Sequence, residues 1–122
     1  MDQNPSFGFV LDCESPGNLA EFWAPALGYV SVGAAGAYVV LLPDGRPGPK
    51  LLLQQVPEAK TVKNRMHLDI DAADIEAEAA RLERLGARRV ADDPFHEHDT
   101  RWILMADPEG NEFCVCDGGA GG

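Results

Sequence analysis

Residues 65–86, RMHLDIDAADIEAEAARLERLG, repeat the plan of residues 6–28, SFGFVLDCESPGNLAEFWAPALG. Each stretch opens with side chains that alternate, the period of a strand. In the later copy Met66, Leu68 and Ile70 share one side and face a core, while His67 and Asp69 share the other. In the earlier copy Phe7, Phe9 and Leu11 oppose Gly8, Val10 and Asp12. Each stretch then changes to a helical period. Leu19, Phe22, Trp23, Ala26 and Leu27 recur at i, i+3, i+4, i+7 and i+8, the stripe of a core-facing helix. Ile75, Ala79, Leu82 and Leu85 form the matching stripe. Leu27-Gly28 closes one helix and Leu85-Gly86 the other, with glycine where a helix ends most easily. Asn18, with Glu21 three residues on, is in capping-box register, and Asp74 is the cap expected for the second helix. Pro25 removes one backbone bond and is expected to bend the last turn.

Working outward, three strand candidates follow each helix: 29–33, 37–42 and 50–56 in the first half, and 87–91, 101–106 and 112–116 in the second. Between them, PDGRPGP at 43–49 is rich in turn formers and is expected to be mobile. The order is β-α-β-β-β, twice, and two segments would have to mislead in the same way for the repeat to be false. It predicts an α+β fold of two paired βαβββ modules, at about 6–56 and 65–117. Together they are expected to make one domain over 1–117, followed by a flexible GGAGG tail at 118–122. Four strands with a helix on one side leave the other sheet face curled, so a cup between the copies is the expected ligand site.

A chain of 122 residues is long enough for one self-sufficient core. Ten Lys and Arg against twenty Asp and Glu give a net charge of −10, which repels phosphate backbones and argues against nucleic acid as a partner. The chain has no apolar run of about 18 residues and no basic start leading into an apolar stretch. A cytoplasmic protein without a membrane partner is therefore expected. Cys13, Cys114 and Cys116 are odd in number and lack a CxxC, so neither a disulfide framework nor a zinc knuckle is indicated. Free thiols fit a reducing compartment.

Residues 105–116, MADPEGNEFCVC, resemble the closing strand motif of the vicinal oxygen chelate superfamily. That group includes glyoxalase I, bleomycin-resistance proteins, fosfomycin-resistance enzymes, methylmalonyl-CoA epimerase and extradiol dioxygenases. Leu19-Ala20-Glu21-Phe22-Trp23 through Leu27-Gly28-Tyr29 is similar to its first helix. Val56-Pro57-Glu58 through Lys63-Asn64-Arg65-Met66-His67-Leu68-Asp69 is similar to a glyoxalase-like subgroup common in actinobacteria. The resemblance implies the paired βαβββ fold, a small-molecule ligand and a homodimer. It also implies four metal-holding positions on the first and last strands of each module, commonly His, Glu, His and Glu. Of these, the third matches His67, and the last falls on Cys114 instead of a carboxylate. The first falls on Gly8, or on Phe9 with a slip of one residue, and the remaining position falls on Gln54. One usual ligand of the four is kept.

A hard cation wants oxygen and nitrogen donors in a near-octahedral set. No cofactor is therefore expected; His67 is the ligand if a divalent metal is held at all. A soft zinc site from His67, Cys114 and a third donor is the open alternative. The resemblance points to a protein that binds a small, partly apolar organic molecule without a metal, for resistance, sequestration or transport. Two alternatives stand beside it. One is a lyase or isomerase of the same fold using His67 as acid–base group; the other is a metal-dependent glyoxalase- or dioxygenase-like enzyme.

The candidate residues carry plainer readings as well. An imidazole exchanges protons near neutrality, and Asp69, on the same face as His67, is placed to orient it; the plain role is a hydrogen bond to the cup wall. Asp12 and Asp69 are candidates for a cationic or hydroxylated ligand, or else meet solvent at the rim. Cys114 is a nucleophile if a neighbour favours its thiolate, and otherwise a small buried hydrophobe. Gln54 is expected to line the cup and Glu112 to be exposed. Trp102 either stacks on a flat ligand or joins the core, where Trp23 belongs. His96 and His98, in PFHEHDTRW, are expected on a solvated loop. Asp107-Pro108-Glu109-Gly110-Asn111 is a structural turn. Lys60, Lys63 and Arg65 read as a solvated basic cluster.

Overall fold

The computed structural model describes residues 6–117; residues 1–5 and the 118–122 tail lie outside the described residues. The chain divides between Ala59 and Lys60 into two compact units.

The first unit contains β1 (Gly8–Cys13), α1 (Pro16–Leu27), β2 (Tyr29–Ala35), β3 (Tyr38–Pro43) and β4 (Lys50–Gln55). Its sheet runs β1-β4-β3-β2, with β1 parallel to β4 and the other pairs antiparallel. Alternation sends Val39, Leu41, Leu51 and Leu53 to one buried face. Onto β2, β3 and β4 packs α1, burying Leu19, Phe22, Trp23 and Ala26. The Phe22 and Trp23 rings meet edge to face at 5.0 Å. The helix starts three residues earlier than the Asn18 cap would have it. Pro16 opens it and Ser15 flanks it without a side-chain cap, because a proline's fixed φ and missing N–H suit the first turn. It runs through Pro25 and ends at Gly28, whose φ of 69° is left-handed.

The loop after β3 is pinned. The Arg46 guanidinium donates to Gly28 O at 3.0 Å and to Leu27 O at 2.7 Å, satisfying carbonyls that a helix end leaves open. Tyr29 Oη donates to Pro49 O at 2.8 Å. The turn-forming composition of 43–49 thus shapes a strap over the end of α1.

The second unit contains β5 (Asp69–Asp71), α2 (Ile75–Leu85), β6 (Arg88–Arg89), β7 (Phe95–Glu97), β8 (Thr100–Ala106) and β9 (Glu112–Cys116). Its sheet repeats the first: β5-β9-β8-β6, with β5 parallel to β9, and β7 added on β8. Asp74 caps α2 by accepting from Ala77 N at 3.0 Å. Glu76 and Glu78 in the first turn and Arg84 in the last suit the helix dipole. Packed on β6, β8 and β9, α2 buries Ile75, Ala79 and Leu82 on the side of the sheet that carries Ile103, Met105, Phe113 and Val115.

Three expectations change in this unit. Met66 is 70% exposed: the strand begins only at Asp69, so the alternation of 65–68 is not converted into a buried face. The 87–91 candidate shrinks to Arg88–Arg89, with Arg89 tied to Glu76 at 3.0 Å and Glu83 at 3.6 Å. The 92–100 loop contains β7, which forms a hairpin with β8 through His98 and Asp99. The Asp107–Asn111 turn is structural as read. Buried Asp107 accepts from Glu109 N at 2.8 Å, Asn111 N at 2.9 Å and Asn111 Nδ2 at 2.9 Å. Among the described residues no helix is long and apolar enough to cross a membrane.

Candidate functional site

Alternation in the second unit gives its sheet a face turned away from Ile103, Met105, Phe113 and Val115. Register builds that face in two rows. Asp69, Cys114 and Leu104 are successive cross-strand partners on β5, β9 and β8. Asp71, Cys116, Trp102 and Phe95 are the next row, extended by β7. A pocket of about 440 Å³ lies on this face.

One end of the pocket is aromatic. The Phe95 and Trp102 rings stack, with centroids 5.7 Å apart and planes at 19°. The floor beside them is Leu104 with the thiols of Cys114 and Cys116. The other end is polar. Glu112 accepts from Lys60 Nζ at 2.8 Å and from Asn64 N at 3.0 Å, while Asn64 Oδ1 accepts from Glu112 N at 2.9 Å. These bonds fasten residues 60–64 to the start of β9. The Lys60 hydrogen bond first, then the Asn64 amide, holds the Glu112 carboxyl below the usual carboxylate range. His67 Nε2 lies 3.2 Å from Asp69 Oδ1, and one donor atom from each of His67, Asp69 and Cys114 falls within 4.8 Å of the others.

Burial, reinforced by the Asp69 charge, pushes the Cys114 thiol up to about 11. Burial, again with Asp69 next, pushes Cys116 up to about 12. Both are therefore protonated at neutral pH, which removes the thiolate that a nucleophilic Cys114 would need. They serve the face as soft, weakly polar walls.

The structure brings His67, Asp69, Trp102 and Cys114 together on one pocket. Asp12 and Gln54 are partners of each other on β1 and β4; they belong to the first unit and do not line this pocket. His96 is on β7 and His98 in its turn, both exposed, and neither lines it. Glu112 is a half-buried, ion-paired wall with 19% side-chain exposure, as is Lys60; neither is the solvated surface group expected, because each neutralises the other. Asn64, Phe95, Thr100, Leu104 and Cys116 were not singled out as pocket residues, and Lys63, read as part of a solvated basic cluster, lines it too. Cys116 was available from its position two residues beyond Cys114 on the same face. Phe95 was not, because nothing marked β7.

Two sheets of this topology, each with one helix, make the glyoxalase/bleomycin-resistance fold. The model of the Glyoxalase-like domain family matches residues 8–116, and the chain belongs to that family. No curated protein matches the chain. Solved structures share the fold at low identity. A glyoxalase/bleomycin resistance protein/dioxygenase family enzyme from Burkholderia phytofirmans superposes with a TM-score of 0.72 at 12% identity, covering 92% of this chain and 98% of that one. A mutant of the genomically encoded fosfomycin resistance protein FosX from Listeria monocytogenes, complexed with Mn(II) and 1S,2S-dihydroxypropylphosphonic acid, gives 0.73 at 14% identity over 97% and 92%. FosX from Mesorhizobium loti gives 0.67 at 18% over 97% and 94%.

The donors here do not fit a cation of the Mn(II) kind. Such an ion prefers an oxygen-rich octahedral set. The pocket of the second unit converges one imidazole, one carboxylate and one thiol, and its other nearby carboxylate, Glu112, is taken by Lys60 and Asn64.

Proposed function

We propose that the pocket of the second unit binds a small, partly apolar organic molecule with a flat ring, without the help of a hard divalent cation. The observation that carries this is the stacked Phe95–Trp102 pair, with Thr100 beside it, set next to a floor of Leu104 and two protonated thiols, with the charged groups and the imidazole towards the opposite end. A volume of about 440 Å³ falls within the span of small-molecule pockets. A ring stacked on Trp102 gains about 0.5–1.5 kcal/mol beyond the area it buries. His67 and Asp69, joined to each other and open to solvent, offer hydrogen bonds to a hydroxyl or amide at the other end. The family membership supports binding as the function class and leaves the molecule's identity to experiment.

We further propose a cytoplasmic homodimer. Val10, Val30, Val32 and Tyr38, all on the sheet of the first unit, are 39–59% exposed, more apolar surface than one sheet normally leaves to water.

A thermal-shift screen of flat aromatic metabolites and antibiotics, run with a strong chelator present, tests the binding. A ligand at 100 times its Kd stabilises the native state by about 2.7 kcal/mol. The expected hit raises Tm in the wild type and loses at least about tenfold in affinity in Trp102→Ala, equivalent to about 1.4 kcal/mol. Hits that bind Trp102→Ala as tightly as wild type would remove the aromatic end from the site.

A further inference from the structure

We infer that the molecule taken up by the pocket of the second unit is a zwitterion with a flat ring, an aromatic α-amino acid. Its carboxylate meets Lys63 and its ammonium meets Asp69. This rests on the organic-ligand reading above and adds the two charges to it.

The backbone fixes both charged residues. Lys63 lies between Lys60 and Asn64, and both of those are tied to Glu112. Lys60 Nζ donates to Glu112 Oε1 at 2.8 Å and Asn64 N at 3.0 Å, and Glu112 N donates to Asn64 Oδ1 at 2.9 Å. The stretch that carries Lys63 is thus clamped to the start of β9 on either side of it. Asp69 is the cross-strand partner of Cys114 on parallel β5 and β9, and Cys114 N donates to Leu68 O at 2.9 Å. Lys63 and Asp69 both line the pocket. They also act on the same thiol. After burial, the Asp69 charge raises the Cys114 pKa and the Lys63 charge lowers it, so the two opposite charges stand near one point of the floor.

The charges still open to a partner select the ligand. Glu112 is already neutralised by Lys60. His67 Nε2 takes Oδ1 of Asp69 at 3.2 Å, and among the described residues Oδ2 has no hydrogen bond. Among the described residues Lys63 Nζ makes no ion pair or hydrogen bond. One ammonium and one carboxylate are therefore left to a ligand. A ring bearing only an anion would be drawn by Lys63 and repelled by Asp69, and a ring bearing only a cation the reverse. A zwitterion answers both. Its zero net charge also suits a chain of −10, which repels anions at long range.

The rows of the face suit the rest of the molecule. Asp69 and Cys114 stand in one row, and Cys116, Trp102 and Phe95 in the next. Consecutive rows are two residues, about 7 Å, apart along the strands, within the span of a charged head and a ring joined by one methylene.

Isothermal titration calorimetry of the full chain in chelator compares four probes with one ring: L-tryptophan, tryptamine, indole-3-propionate and 3-methylindole. The last three lack the carboxylate, the ammonium and both. L-Tryptophan should bind at one equivalent, at least about threefold tighter than either single-charge probe, as one partly exposed ion pair allows. Lys63→Ala should weaken L-tryptophan by about that factor and leave tryptamine no weaker. Asp69→Asn should weaken L-tryptophan and tryptamine and leave indole-3-propionate no weaker. Both substitutions fall at exposed positions, and circular dichroism checks that each variant is folded. Trp102→Ala should weaken all four probes. The inference is overturned if L-tryptophan, L-tyrosine and L-phenylalanine all fail to bind the wild type. It is also overturned if the four probes bind alike, or if neither charge variant discriminates among them. Probes that bind alike and are all weakened by Trp102→Ala would sink the zwitterion and keep the flat-ring reading. Charge-selective binding that ignores Trp102→Ala would do the reverse.

Discussion

At the scale of single residues, the two pocket thiols owe their state to where β9 puts them. Residues 112, 114 and 116 alternate onto the pocket face while Phe113 and Val115 enter the core. Burial and the Asp69 charge both oppose a thiolate there. A thiol titrating at about 11 instead of 9.0 has about 100-fold less thiolate at pH 8, and thiolate is the form that alkylates. Iodoacetamide should therefore label Cys114 in the folded protein about 100-fold more slowly than in urea at pH 8, with the gap closing as pH approaches 11. Peptide mass spectrometry over time reads both rates, and equal rates would show that the thiol is not suppressed. The sign for stability follows. The unfolded thiol gives up its proton first, so the contribution is whole below about pH 9 and is lost as pH rises through the folded value. Tm should fall between pH 9 and 11, by less in Cys114→Ala.

At the scale of elements, the turn between β8 and β9 shows how much a short motif can hold. Asp107 is 2% exposed, and its carboxylate closes the DPEGN turn on itself through backbone and side-chain amides of Asn111 and the amide of Glu109. Asp107→Ala leaves those donors buried without their partner, at about 1–3 kcal/mol for each group that finds no water. Urea unfolding should show a loss of at least about 2 kcal/mol with an unchanged m-value, and a loss within about 0.5 kcal/mol would make the turn dispensable. This turn was legible because Asp, Pro, Gly and Asn each announce a turn for their own reason. Both helices were legible because their stripes end in glycine. The β7–β8 hairpin was not. Its turn residues His98 and Asp99 take φ of 52° and 62°, a conformation usually given to Gly or Asn, and all three β7 residues are exposed, so neither turn nor alternation betrayed it. The site was half legible for a related reason. Alternation tells which residues share a face and put His67 with Asp69 and Trp102 with Leu104, while the family resemblance marked His67, Gln54 and Cys114. Neither signal tells which strand faces close into the pocket of the second unit, which His67, Asp69, Trp102 and Cys114 line and Asp12 and Gln54 do not.

At the scale of the whole molecule, the proposed dimer sets two long-range terms against each other. The apolar side chains Val10, Val30 and Tyr38 project from the same face of the first unit's sheet, since Val10 registers with Leu52 and Val40, Tyr38 with Gln54, and Val30 with Leu42. Burying such a patch contributes about 25 cal/mol for each Å² removed from water. Each chain also carries a net charge of −10, and bringing two together costs repulsion that salt screens over a Debye length of about 8 Å at physiological strength. Association through that patch should therefore tighten as salt rises, opposite to an interface held by ion pairs. Sedimentation velocity at low micromolar concentration should give a dimer at physiological salt, a larger monomer fraction at low ionic strength, and monomer throughout for Val10→Asp. A wild-type monomer at every salt concentration would contradict the dimer. A dimer that loosened with salt, or that ignored Val10→Asp, would place the contact on charged surface elsewhere.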